Sequence, residues 1–312
     1  MSNSTSNHLL VVGSVAIDWI ITPDAEREES VGGSATYFSM AAGGLAPIQL
    51  VGVVGEDFPT SAVEDLKTRG VDVDGLETIE GGLTFRWKGR YHENMNDRDT
   101  LETHLNCFEH FSPKLPETYK NTAHLFLANI QPSLQLQVLD AMAERPAVVG
   151  LDTMNLWIDI ANDDLREVLG RVDVLMINEE EARQLSGEDS LLAAAKSVRS
   201  MGPSTLIIKR GEYGAMLFGP NDEDIFSVPA MPLAKVVDPT GAGDCFAGGF
   251  MGYLAKQGTG LTTANLRTAM MWGSVMASFC VEGFSYDQLR GLEESAIASR
   301  FEQFVRMCEL PR

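Results

Sequence analysis

Short apolar runs alternate along the chain with stretches whose apolar positions recur at helical spacing. The strand-length runs are Leu9–Val12, Gln49–Val53, Ala123–Leu127, Ala147–Leu151, Val172–Ile177, Thr205–Ile208 and Ala215–Phe218. Helical patterning covers Ser34–Leu45, Pro59–Arg69, Ser133–Ala143, Glu179–Leu185, Ser190–Met201, Gly241–Lys256, Thr262–Val281 and Tyr286–Met307. Ser and Pro at several of these starts suit N-cap and first-turn positions. Continuous apolar strands interleaved with helices predict an α/β fold, with a mostly parallel sheet covered on both faces.

One region breaks the rhythm. Gly81–Cys107 mixes aromatics, Arg and acids in near alternation and lacks a continuous apolar run. This pattern predicts a two-sided, partly exposed antiparallel ribbon. Trp19–Ser30, with a β-prone start and an acidic turn, is a candidate to pair with it. The two stretches, at about 18–31 and 81–107, form a small β appendage or lid inserted in one domain spanning 1–312, or a plain surface hairpin.

Composition narrows the partners. The 312 residues carry 44 Asp and Glu against 24 Lys and Arg, a formal charge of −20. Such a balance excludes general nucleic-acid binding, which needs clustered cations to neutralise phosphates, and docking on anionic membranes. It leaves room for a small anion, because backbone N–H groups can hold phosphate inside an acidic protein. The four cysteines form no C-x-x-C pair, and the polar start Met1–Asn7 lacks the plan of a signal peptide. Thr268–Val281 is too short to span a bilayer. A reducing, cytoplasmic setting is expected.

The segment richest in chemistry is Val236–Val237–Asp238–Pro239–Thr240–Gly241–Ala242–Gly243–Asp244, which runs into the small-residue helix starting CFAGG. A strand, a turn and then Gly-Ala-Gly at a helix start would present unpaired N–H groups at the positive end of the helix dipole. A dinucleotide fingerprint fails, because Phe246 stands where its third Gly is needed, and a Walker A loop fails for want of Gly-Lys-Ser/Thr. Asp244 puts a carboxylate where an anion would bind. A base that collects a proton from an attacking hydroxyl has reason to sit there, which suits phosphoryl transfer. The alternative is that Asp244 caps the helix.

The DPTGAGD segment resembles the signature of the ribokinase/PfkB-type carbohydrate kinases, and the resemblance runs over nearly the whole chain. Gly32–Gly33–Ser34–Ala35–Thr36–Tyr37 is similar to the family's Gly-Gly sugar-binding motif. Asn178–Glu181 is similar to its Asn-x-x-Glu motif, and Lys209–Gly214 to its nucleotide-binding Gly-x-x-Gly turn. Asp18 matches the acid that accepts hydrogen bonds from substrate hydroxyls. The resemblance implies a ribokinase-like three-layer α/β/α sandwich with a small β-sheet lid. It implies Asp244 as catalytic base and the Gly241, Ala242 and Gly243 amides as the anion hole. Asp18, Gly32, Gly33 and Tyr37 fall on the acceptor side, and Asn178, Lys209, Gly211, Gly214 and Thr240 on the ATP side. Glu181 would act on Mg²⁺ through water. The implied activity is transfer of the ATP γ-phosphoryl group to a small sugar-type acceptor.

Departures from the pattern bear on the acceptor. Tyr37 stands where many members have Asn, Pro239 replaces a Thr, and Leu151–Trp157 replaces the usual Asp-Pro-Asn-x-Arg stretch. A more aromatic pocket would suit a nucleoside by stacking, so an adenosine-like nucleoside kinase is the alternative. A catalytically silent sugar or nucleotide sensor is a third. Arg86, Arg90 and Arg98, three cations in an acidic chain, are candidate anion or hydroxyl contacts or plain solvated strand residues. The Phe85, Trp87, Tyr91 alternation suggests an aromatic ribbon face on which two copies would pair as a homodimer.

Overall fold

The computed structural model describes residues 7–258 and 260–309. The polar start up to residue 6 and the ends of the expected 1–312 span lie outside the described residues. The large sheet is built from β1 (Leu9–Val12), β4 (Ile48–Gly55), β5 (Val71–Ile79), β8 (His124–Leu127), β9 (Val148–Asp152), β10 (Val174–Asn178), β11 (Thr205–Lys209), β12 (Ala215–Phe218) and β13 (Ile225–Val228). Its order is β13-β12-β11-β10-β9-β8-β1-β4-β5. Strands β11 to β5 of that order run parallel, and β12 and β13 add antiparallel at one edge.

Successive strand residues serve opposite layers, as the pleat requires. Leu9 and Val11 face a core shared with α1 (Ser34–Ala42), α2 (Thr60–Thr68), α8 (Ala242–Gln257), α9 (Thr263–Cys280) and α10 (Glu294–Cys308). Leu10 and Val12 face a second core with α3 (Pro132–Ala141), α4 (Asn155–Ile160), α5 (Asn162–Leu169), α6 (Glu179–Ser186) and α7 (Leu191–Arg199). The result is the expected three-layer α/β/α sandwich. Small residues let the first core close tightly: a Cβ at Gly248 of α8 would fall 2.5 Å from the Phe38 carbonyl oxygen. Phe38 of α1 stacks on Phe126 of β8 at 4.4 Å and 11°.

A second sheet has the order β3-β2-β6-β7, from β2 (Ala16–Ile21), β3 (Glu26–Gly32), β6 (Phe85–Tyr91) and β7 (Arg98–His104). β6 and β7 pair antiparallel, and β2 joins them by lying parallel to β6. Register puts Asp18 beside Trp87 and Tyr91 beside Arg98. Phe85, Trp87 and Tyr91 share this face with Asp18, and Tyr91 reaches Thr240 of the large unit. The face that carries the aromatic alternation is thus the one turned toward the large unit, with Phe85 against Phe108 and Tyr91 against Thr240. On the opposite face Lys88 lies 3.4 Å from the centre of the Trp19 ring and 3.3 Å from Glu102.

Four differences from the sequence pattern have physical causes. β5 and β13 are edge strands whose polar positions interrupt any apolar run. α4 and α5 are short, with few buried positions, so their period is hard to see. The helix expected from Tyr286 begins only at Glu294, because Ser285 and Gly291 adopt left-handed φ of 56° and 65° and turn the intervening chain. Val236–Val237 is not a strand: Val237 N–H donates to the Val281 carbonyl at 2.8 Å, so the end of α9 holds this segment.

Phe126→Ala is expected to cost about 3–5 kcal/mol through the cavity left beneath Phe38. Chemical denaturation checks this, with an unchanged m-value marking a native-state effect.

Candidate active site

The carboxyl ends of parallel strands on either side of a topological switch form a crevice, and here the strand order reverses between β1 and β8. Past β1, Ser14 and Ser34 exchange backbone-to-hydroxyl bonds of 3.0 and 3.2 Å, which fasten the start of α1 to the turn into β2. Asp18 follows on β2, 4% exposed. A Cβ at Gly32 would fall 1.9 Å from Asp18 Oδ2, so a residue without a side chain is required beside it. Burial, then the charges of Asp238 and Asp244, pushes the Asp18 carboxyl well above the usual range, against an opposing Gly33 amide.

Asp238 is fully buried and organises the loop ahead of α8. Its Oδ1 accepts the Thr240 N–H at 2.8 Å, an Asx-type turn, and its Oδ2 accepts the Ser285 N–H at 3.4 Å. Burial pushes its carboxyl up to about 6. Gly241 then takes φ 77°. The Tyr37 ring packs directly behind it, and a Cβ at Gly241 would fall 2.3 Å from that ring. The Ala242 N–H donates to the Pro239 carbonyl at 3.1 Å, and the Cys245 N–H donates to the Gly241 carbonyl at 2.8 Å. Among the described residues, the Gly241 and Gly243 amides have no protein acceptor. They remain as the available donors at the positive end of α8, whereas Ala242, expected to join them, is already satisfied.

Asp244 occupies the first turn of α8, and no side-chain cap bond is formed there. Burial first, then the Asp152 charge, pushes its carboxyl up to about 8, against Lys209 and Arg98. Lys209 ends β11. Its Nζ lies 3.2 Å from Asp152 Oδ2 and 3.3 Å from Oδ1 at the end of β9, and 3.0 Å from where a Gly243 Cβ would be. Burial opposes its charge, yet Asp152, Glu181 and Asp244 together hold it above the ordinary lysine value. Asn178 and Glu181 form a reciprocal capping box on α6, with bonds of 2.8 and 2.7 Å. Burial pushes Glu181 up to about 7.

The remaining expected residues divide clearly. Gly211 and Gly214 bracket a tight turn after β11, and a Cβ at Gly211 would fall 2.4 Å from Asn96 Oδ1 of the β6–β7 tip. Thr240 Oγ1 donates to the Tyr91 hydroxyl at 3.1 Å. The small sheet thus touches both the loop before α8 and the turn after β11. Gly33 caps α1. Tyr37 is 1% exposed, its ring sealed behind Gly241, so it offers no stacking surface. Arg86 is engaged by Glu29 at 2.6 Å and Asp57 at 3.0 Å, at the root of the small sheet. Arg90 is exposed on the face away from Asp18. Sequence patterning had not singled out Asp152, Asp238, Trp87 or Tyr91 as members of the cluster. Asp152 carried a signal, an acid closing an apolar strand.

Among the described residues, no group of three or more His, Cys, Asp or Glu side chains is arranged to hold a metal ion alone. Asp152 and Glu181, both buried and both acting on Lys209, fit a hard divalent cation that arrives with most of its ligands from phosphate and water. No helix among the described residues is long and apolar enough to cross a membrane.

Residues 6–287 match the pfkB family carbohydrate kinases. The chain is 31% identical over 247 residues to a cytidine kinase of Thermococcus kodakarensis, covering 78% of this chain and 87% of that protein. It superposes on the nucleoside kinase of Methanocaldococcus jannaschii, a ribokinase-family member, with a TM-score of 0.75 at 21% identity over 96% of this chain and 99% of that one. A putative ribokinase II from E. coli in complex with ATP and Mg²⁺ gives a TM-score of 0.77 at 21% identity, covering 95% and 99%. These likenesses show that the fold is ribokinase-like.

The raised carboxyl values set the sign of the stability change with pH. A group with a raised folded value contributes stability fully below its unfolded value of about 4, and that contribution is lost as pH rises through the folded value. Asp244→Asn removes one such penalty. Its gain in stability over the wild type is expected to be larger at pH 8 than at pH 5 by on the order of 3 kcal/mol. Denaturant melts at the two pH values check it.

Proposed function

Because the chain belongs to the pfkB family of carbohydrate kinases, phosphotransferases with a hydroxyl acceptor, we propose that its donor is ATP with Mg²⁺ and its acceptor a nucleoside. The observation that carries the nucleoside choice is Trp87. Its half-buried ring shares the cleft-facing side of β6 with Tyr91 and stands in register with Asp18. An aromatic plate beside a hydroxyl-binding acid serves a base and its ribose together, the plate taking the flat base and the acid the ribose hydroxyls. The cytidine kinase relative supports the same choice. The chain is read as one kinase unit with the small sheet as its lid.

Asp18 accepts hydrogen bonds from acceptor hydroxyls, and Asp244 receives the proton of the attacking one. The hydroxyl oxygen forms a bond to the γ-phosphorus while the bridging bond between the β and γ phosphates breaks. Its electron pair leaves on the β-phosphate oxygen of ADP, and the proton ends on an Asp244 carboxylate oxygen. The Gly241 and Gly243 amides and the Lys209 ammonium stabilise the charge on the transferring group. Asp152 and Glu181 would hold the Mg²⁺ that accompanies the nucleotide, which would supply neutralisation of phosphate charge. The small sheet, seated through Tyr91 on Thr240, keeps water from competing as acceptor.

Asp244→Asn is expected to lower kcat by ~10³-fold or more, the range for losing a positioned base. In the wild type kcat/KM falls as pH drops below about 8, because Asp244 must be ionised to act. Steady-state rates across pH 5.5–9.5, roughly the window in which such a group titrates, check both.

Acceptor choice is tested by product analysis with nucleosides and with free pentoses. Nucleosides are expected to be preferred, and Trp87→Ala to raise their KM ~10-fold while leaving that for ribose within ~2-fold, as loss of a stacking surface dictates. Preference for free ribose in the wild type would overturn the nucleoside assignment.

A further inference from the structure

The β6–β7 hairpin brings a cation to the cleft that no protein carboxylate claims. Lys209 is held by Asp152, Arg210 by Glu179 at 2.7 Å, and Arg86 by Glu29 and Asp57. Arg98 has no carboxylate within ion-pair distance among the described residues. In a chain with a formal charge of −20, an exposed guanidinium left unpaired at a cleft crowded with acids calls for an anion.

Its position is fixed by its neighbours. Arg98 is the first residue of β7 and pairs in register with Tyr91, whose hydroxyl is bonded to Thr240 one residue before Gly241. Two residues earlier, Asn96 sits against Gly211 of the turn after β11. The guanidinium carbon lies 6.0 Å from the centre of the Trp87 ring, so the side chain lies on the cleft face of the sheet. Residue 98 is thereby bracketed between the anion loop and the turn after β11. Its charge acts on both Asp244 and Glu181, two of the three acids that act on the Lys209 ammonium.

We propose that Arg98 is a catalytic residue, carried by the small sheet onto the phosphoryl path between Asp244 and Glu181, where its guanidinium stabilises the charge of the transferring group. This rests on the kinase assignment above and adds a group to its chemistry. Bonds made and broken are those already given: oxygen to γ-phosphorus forms, the β–γ bridge breaks, and the proton goes to Asp244. Arg98 gives up no proton. Its planar fork suits two equatorial phosphate oxygens, which a lysine meets only as a point charge. Because it rides on the sheet that also carries Trp87, seating the acceptor and completing the charge stabilisation become one event. A lid that has not closed leaves the phosphoryl group short of one cation, which disfavours transfer to water.

The test compares full-length wild type, Arg98→Met and Arg98→Lys. Arg98→Met is expected to lower kcat by ~10²-fold or more with KM for the nucleoside changed less than ~3-fold, since the loss falls on the transition state. Arg98→Lys recovers part of the rate. The second readout is binding, by calorimetry, of ADP·Mg²⁺ with aluminium fluoride and of the non-hydrolysable analogue AMP-PNP with Mg²⁺. Arg98→Met should weaken the first by ~30-fold or more and the second by less than ~3-fold, the signature of differential binding. Equal loss for both ligands, or a kcat within ~3-fold of wild type, would overturn the proposal. A wild type that turns over while Asp244→Asn does not, beside a fully active Arg98→Met, overturns this proposal alone. A wild type that phosphorylates no acceptor overturns the kinase assignment on which it rests.

Discussion

Lys209 stands among carboxylates drawn from three elements: Asp152 at the end of β9, Glu181 on α6 and Asp244 on α8. Buried like charges repel strongly at low dielectric, and one ammonium acting on all three keeps the arrangement tolerable. Sheet register makes it possible. Asn178 pairs with Lys209, and Met176 with Asp152, so β9, β10 and β11 end side by side. Removing the ammonium would leave the acids uncompensated, with consequences for the strand ends and for the α8 start packed against it.

One ammonium does not balance all the acids of the cleft. Asp18, Asp238, Asp244 and Glu181 are held above their ordinary values, chiefly by burial, so the cleft by itself prefers protons where it could hold ionised acids. A phosphate entering such a place is admitted only with cations of its own and through backbone amides, and both conditions are met. The Gly241 and Gly243 amides lack protein acceptors among the described residues, and Asp152 and Glu181 suit a cation brought by the nucleotide. An overall charge of −20 is therefore compatible with the proposed phosphate site, because the compensation is local.

Much of the fold was legible from the sequence because buried parallel strands are continuous apolar runs: all seven expected strands formed, most within a residue or two of their limits. Edge strands β5 and β13 are not legible as continuous apolar runs, since water on one side permits acids within β5 and a serine within the four-residue β13. The loop before α8 was legible from its glycines, but its tether was not, because Val237 is held by Val281, far along the sequence. Asp244, Asp18, Lys209 and Glu181 stand in four separate sequence motifs, and the structure brings them to one cleft. Tyr37 lies in a motif that suggests an acceptor contact, but its ring is packed behind Gly241, which only the folded geometry reveals. Trp87 and Arg98 could be placed on a ribbon from the sequence, whereas which face of that ribbon meets the cleft depends on how β2 joins it.

The central claim is that Asp244 is a buried carboxyl that holds its proton near neutrality in the free protein and becomes available as a base when charge compensation arrives. Carbon-13 NMR of the protein labelled at Asp carboxyl carbons tests this most directly, with the Asp244→Asn spectrum assigning the resonance. A signal titrating near the value of about 8, absent from the variant, is the expected result. An Asp244 signal titrating within the ordinary range, near about 4, would contradict it.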